Sequence, residues 1–255
     1  MFTIALNTIR ELVRNKFFSL ILFLGVVFIL ISFGLKTLAL GELERVLYDF
    51  GLSFIELTGL AVILFLGGGM IAREIEGRTI FLMLSKPIPR YSIFLGKFLG
   101  FSGVMIFMVA FQTVVLSWLL ILQWFVIDPL FFPAILGILL KLFSLLAVIL
   151  FFSSFTSPMI AMFLTISTYM IGHSGFLMLD YALSSTGNEM MRYLAHAILT
   201  VFPNLESLNL KNYVAIDAPI HLVTWYRGYG FAALYIIVLL TLGAWIFQKK
   251  SFDNA

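Results

Sequence analysis

The sequence predicts an all-α polytopic membrane protein of six transmembrane helices, built as a single domain over residues 1–255, and three observations carry this. Hydrophobic residues make up 62% of the chain and charged ones only 11%, with a mean hydropathy of +1.08, whereas a soluble domain carries about 25% charged residues. The apolar residues fall into six runs, each close to the roughly 20 helical residues that a bilayer core requires. Charges gather between those runs, above all in an island from Arg73 to Lys97, because charge in hydrocarbon is costly.

Residues 1–16 come first. Phe2, Ala5, Leu6, Ile9, Leu12 and Val13 recur at helical spacing, with Thr3, Asn7, Arg10, Glu11, Arg14 and Asn15 on the other side. This predicts an amphipathic helix lying in the membrane interface. The apolar run that follows is too long for a signal-peptide core and ends in no A-x-A site, so the segment reads as retained. The spans are expected at 17–40, 51–72, 94–124, 130–152, 159–179 and 229–247. The third is overlong, and it projects or tilts.

Loop charges set the orientation. Arg10, Arg14, Lys16, Arg73, Arg78, Lys86, Arg90, Lys97, Lys249 and Lys250 fall on one side; Lys36, Arg45, Arg192, Lys211 and Arg227 fall on the other; Lys141 lies within a span. The positive-inside rule then places both termini and the island in the cytoplasm. Glu42, Glu44, Asp49, Asp128, Asp180, Glu189, Glu206 and Asp217 take the outer side. Three loops are short: 41–50 and 125–129 outside, and 153–158 inside. The two large ones are the island, 73–93 as a cytoplasmic loop, and the external stretch 180–228. Within the latter, Met190, Met191, Leu194, Ala197, Ile198, Val201 and Phe202 form an apolar stripe on a helix too short to span, which reads as re-entrant or interfacial.

Several chemistries are excluded. With no cysteine there is no disulfide and no thiolate. The pair Gly96-Lys97 is no P-loop, because Tyr91 stands where the first glycine belongs and Phe98 follows the lysine. His173, His196 and His221 lack H-E-x-x-H spacing, so no metal site is expected. No serine sits in G-x-S-x-G. Three intramembrane polar residues stand out. Lys141 lies about 16 Å from the outer end of its span, Glu56 about a turn and a half into the second, and His173 sits between glycines in the fifth. Lys141 and Glu56 fit either a translocation pathway or a helix–helix ion pair, and His173 fits a polar group packed between helices where small residues allow close approach. Gly67-Gly68-Gly69 fits a hinge or a flat packing surface. The same surface is expected of Gly96, Gly100 and Gly103.

The island carries a resemblance. Its order is Glu74-x-Glu76-Gly77-x-Thr79, Leu84-Ser85-Lys86-Pro87-Ile88-x-Arg90, then Leu95-Gly96-Lys97. This resembles the first cytoplasmic loop of ABC-2 type permeases, the membrane subunits of one large class of ABC transporters. The stretch Phe202-Pro203-Asn204-Leu205-Glu206-Ser207-Leu208-Asn209 is similar to one found before the last span in the subgroup that includes the permease of nitrous oxide reductase maturation.

The resemblance implies a permease of an exporter, in the inner membrane, without a cofactor of its own. ATP and Mg would be bound by a partner ABC ATPase, and a second permease copy would complete a homodimer in lipid; no nucleic acid is implied. Arg73, Glu74, Glu76, Gly77, Arg78, Thr79, Leu84, Ser85, Lys86, Pro87, Arg90 and Lys97 would form the ATPase-coupling segment. The residues allow this: Gly77 can end a helix, Thr79 to Ser85 can form a short one, and Pro87 and Pro89 break the chain before the next. A self-contained carrier and a membrane enzyme are the competing classes. Spans so poor in charge suit an apolar or amphiphilic substrate.

Overall fold

A computed structural model describes residues 1–34, 43–70, 89–184, 190, 193, 202–214 and 222–249. Among them there is no strand. Seven helices follow one another: α1 (Phe2–Val13), α2 (Lys16–Gly34), α3 (Leu43–Val62), α4 (Arg90–Leu122), α5 (Phe131–Ser153), α6 (Pro158–Ser184) and α7 (Leu222–Lys249). Four described segments are long and apolar enough to cross a bilayer, Glu44–Gly67, Tyr91–Leu122, Phe131–Ser153 and Tyr226–Lys249. The pair Phe2–Val13 and Lys16–Ser32, bent by 65°, would make five if it formed one span.

The bend has a local cause. Asn15 caps α2, its Oδ1 accepting the Phe17 N–H at 2.9 Å, so the chain restarts instead of continuing α1. The buried residues Ile4, Ala5, Thr8 and Leu12 lie on one face of α1. That face rests on α4 at Gly96, Gly100 and Gly103, the packing surface that the sequence suggested. A Cβ at Gly100 would lie 2.5 Å from the Ala5 carbonyl oxygen, so only glycine allows this approach. The far end of α7 meets the same part of α4, with Gly243 against Phe94 and the Phe94 and Phe247 rings 6.2 Å apart. The first and last helices therefore reach one end of the bundle.

At the opposite end α3 starts at Leu43, so residues 43–50, expected as a short loop, form the first turns of a helix. Charge made this stretch resemble a loop, yet Arg45 and Asp49 lie one turn apart at 3.8 Å. The Tyr48 hydroxyl accepts the Asp128 N–H at 3.0 Å and ties α3 to the loop before α5, where Asp128 Oδ1 accepts the Leu130 N–H. Helix α4 closes with Trp124 at φ 63°, a left-handed residue that ends the helix without glycine. Helix α6 runs on to Ser184 and α7 begins at Leu222, which shortens the expected external stretch. Directly after α3 the chain forms a π turn, Ile63–Gly67, with Gly67 on Ile149 and Gly68 on Met162. Deep between α2, α3 and α4, fully buried Gln112 packs on Gly25 and bonds Thr58 at 3.0 Å.

Candidate functional site

The residues that matter most lie in a segment with little regular structure. From Pro203 to Val214 the chain makes two 3-10 turns, Glu206–Leu208 and Leu210–Tyr213, and these are wedged into the helix bundle instead of lying over it. Leu205, Leu208, Leu210 and Val214 are buried. Three helices each provide a glycine where the wedge enters. A side chain at Gly137 of α5 would overlap the Leu208 carbonyl, one at Gly172 of α6 would press on Pro203 O and Leu205, and one at Gly228 of α7 would meet Ser207. The Leu205 N–H donates to the Gly172 carbonyl at 3.1 Å, and Asn204 Oδ1 accepts the Ser207 N–H at 3.1 Å. The backbone of an irregular segment is thus satisfied where water is scarce.

The wedge delivers charge to the three polar residues of the spans. Glu56 of α3 is 2% exposed and Lys141 of α5 is fully buried; Lys141 Nζ donates to Glu56 Oε1 at 2.8 Å. Tyr169, one turn from His173 on α6, donates its hydroxyl to the same oxygen at 3.1 Å. Lys211 reaches in from the wedge and donates to Glu56 Oε2 at 2.9 Å. Both oxygens of the Glu56 carboxylate therefore face donors, as a buried carboxylate requires.

His173 joins this pair to a second carboxylate. Its Nδ1 lies 2.9 Å from Glu206 Oε2, and its Nε2 lies 3.2 Å from Glu56 Oε1 and 3.3 Å from Lys141 Nζ. A neutral ring with its proton on Nδ1 donates to Glu206 and accepts from Lys141; a protonated ring donates to both carboxylates. Asn209 Nδ2 also donates to Glu206, at 3.1 and 3.2 Å. Partial burial works against ionisation of Glu206, and the bonds from His173 and Asn209 outweigh it, holding the carboxyl below its usual range. Glu206, His173 and Lys211 retain partial exposure, at 31, 21 and 17%, whereas Glu56 and Lys141 do not. The network runs from a wet rim to a dry floor.

An apolar cavity of about 400 Å³ opens between α5, α6 and α7. Val148, Phe151, Thr168, Phe202, Tyr235 and Leu239 line it. Thr168, which lines it, precedes Tyr169 of the network on α6.

No family model matches the chain, and no curated protein matches it.

Glu56, Lys141 and His173, singled out in the sequence, are therefore one site. Tyr169, Glu206, Asn209 and Lys211 were not read as part of it. The last three belong to a stretch assigned to the outer surface, and the signal that could have found them is Leu205, Leu208 and Leu210 interleaved with Glu206 and Lys211. Of the expected coupling segment, Arg73, Glu74, Glu76, Gly77, Arg78, Thr79, Leu84, Ser85, Lys86 and Pro87 lie outside the described residues, as do 191, 192 and 194–201 of the expected outer helix. Arg90 opens α4. Lys97 is only 2% exposed, on the α4 face that also buries Phe94 and Phe101, and not on an open surface. Among the described residues no group of side chains could hold a metal ion.

Proposed function

We propose that this chain is the membrane subunit of an ATP-driven exporter of the ABC-2 type, moving an apolar or amphiphilic substrate with energy from a separate ATPase. The observation that carries the reading is the wedge. The stretch 202–209, which resembles the segment before the last span in one permease subgroup, is built into the bundle by three glycines and a charge network instead of being a passive loop.

Six spans fit this assignment. In this reading α2 and α6 would cross the membrane beside the four long apolar segments, and an even number of crossings would return the chain to the end where α1 and α7 meet α4. The gathering of Arg10, Arg14, Lys16, Arg90 and Lys249 at that end supports a cytoplasmic location for both termini. An apolar cavity and a charge network in one bundle suit a substrate with a tail and a headgroup. The chain would act as a homodimer, with ATP and Mg held by the partner ATPase and no catalysis of its own.

A second reading is a self-contained carrier. The observation that favours it is the run of ionisable groups from partly exposed Glu206 through His173 to buried Glu56. Copurification decides between the two. An ATPase retained by the wild-type chain and lost or uncoupled with Glu74→Ala plus Glu76→Ala supports the permease. Substrate movement by the chain alone in proteoliposomes, with no ATPase bound, supports the carrier and overturns the first reading.

A further inference from the structure

At the end of the bundle opposite the network, the first turns of α4 and the last turns of α7 diverge around a groove of about 410 Å³. Its walls are graded along the helix axes. Leu95, Ile237, Leu240 and Ala244 make an apolar slot in which Thr241 spends its hydroxyl on the Val238 carbonyl at 2.8 Å, and Tyr91, Trp245 and Gln248 stand at its mouth. Tyr91 and Trp245 are 42 and 55% exposed. An exposed Tyr and Trp at the level where two apolar helices end mark the membrane–water boundary. Lys249 holds its ammonium 3.8 Å from the centre of the Trp245 ring, and Arg90 is the first residue of α4. Neither flanking stretch, 89–99 or 237–249, contains an acid.

We infer that this groove is a binding site for an anionic phospholipid, with an acyl chain in the slot and the phosphate beside Lys249. The order of the walls matches the order of a lipid molecule, apolar deep in the membrane and cationic at its surface. The charge described at the mouth is the Lys249 ammonium, from which a zwitterionic lipid gains less than an anionic one. Juxtamembrane cations attract anionic headgroups through this chemistry, and here a slot is added that fixes the lipid in one place. The site lies far from the charge network and does not depend on the transport assignment.

The test uses the whole protein purified from membranes and incubated with equal amounts of phosphatidylglycerol and phosphatidylcholine, with retained lipid counted by native mass spectrometry. Wild type should retain phosphatidylglycerol in preference. Lys249→Gln should lower that preference about fivefold, the ratio that one cation near an anionic surface supplies. Ala244→Leu fills the slot while leaving every cation in place, and it should remove the retained lipid of both kinds. Lys249 is exposed, whereas Ala244 is partly exposed and packs on the edge of the core, so the melting temperature of Ala244→Leu is compared with wild type, and loss of lipid counts only where that temperature is unchanged. Equal retention of the two lipids by wild type overturns the inference. So does unchanged retention in Ala244→Leu, which would reduce the effect to headgroups adsorbed on a basic surface.

Discussion

Two segments dock onto the bundle, one at each end, and they are held in different ways. Helix α1 lies on the stripe Gly96, Gly100 and Gly103, all from α4, and contributes an apolar face to the contact. The wedge 203–214 also rests on three glycines, but Gly137, Gly172 and Gly228 come from three helices, and to its buried Leu205, Leu208, Leu210 and Val214 it adds ionic contacts through Glu206 and Lys211. An apolar helix in a membrane loses little by lifting off its neighbour, because lipid is as apolar as leucine, so close packing must hold it. An irregular segment carrying Glu206 and Lys211 cannot leave without stranding buried partners. The first contact should be adjustable and the second locked.

The largest effect is expected at the lock. Glu56→Ala removes the carboxylate between Lys141 and Lys211 and leaves a fully buried ammonium uncompensated, a loss of about 3–5 kcal/mol. Thermal and denaturant unfolding in detergent would measure it. Adding Lys141→Met should restore a good part of the loss, since a neutral side chain of similar length no longer needs the carboxylate. Equal stability of the single and double variants would mean that the pair is not what holds the wedge.

Next comes the entry of the wedge. Gly137→Leu places a side chain where the Leu208 carbonyl lies, and overpacking of this kind costs about 1–3 kcal/mol. The backbone cannot step aside as a flexible side chain could. The readout that separates this from a general loss of packing is cleavage after Lys211, which trypsin should reach faster in the variant. Protection equal to wild type would show that the wedge tolerates displacement at α5.

These two ends were not equally legible in the sequence. The stripe on α4 repeats at helical spacing within one helix, so the spacing of Gly96, Gly100 and Gly103 is enough to mark a packing surface. Gly137, Gly172 and Gly228 share no period, and their common purpose exists only once three helices converge. Glu56, Lys141 and His173 were conspicuous because charge and imidazole are rare in apolar runs. Glu206 and Lys211 were not, because polar residues in a connecting stretch have an obvious explanation in water. The same bias assigned the charged first turns of α3 to a loop. Hydropathy finds what hydrocarbon excludes, and it misses polar residues that are buried as pairs.

A smaller effect is expected at α1. Gly100→Leu would push the Ala5 carbonyl and Thr8 away from α4, so that α1 lifts from its stripe while the bundle beneath stays intact. The expected loss is about 1 kcal/mol, at the lower end for overpacking because lipid can cover both exposed faces. Trypsin should cut after Arg10 and Arg14 sooner than in wild type, with little change in the global melting temperature. A melting temperature lowered as far as by Gly137→Leu would mean that the two ends are equally locked, and the contrast between them would be lost.

The smallest effect concerns pH and sharpens the account of the wet rim. The Glu206 carboxyl is held below the ordinary value of 4.5, so its ionised form bonds better in the folded protein than in the unfolded chain. That contribution is complete above the unfolded value and is lost as pH falls through the folded one. Glu206→Gln retains the shape but not the charge. The stability gap between wild type and this variant should therefore be open at pH 6 and close as pH is taken below 4.5. Glu56, Lys141 and Lys211 are present in both proteins and largely cancel in the difference. His173 bonds Glu206 directly, so the comparison is repeated in a His173→Asn background, where the gap at pH 6 should be narrower by the share that the imidazole supplies. A gap that stays constant from pH 6 to pH 3 would show that Glu206 holds the wedge by shape and hydrogen bonding alone, leaving the ionic part of the lock to Glu56 and its two lysines.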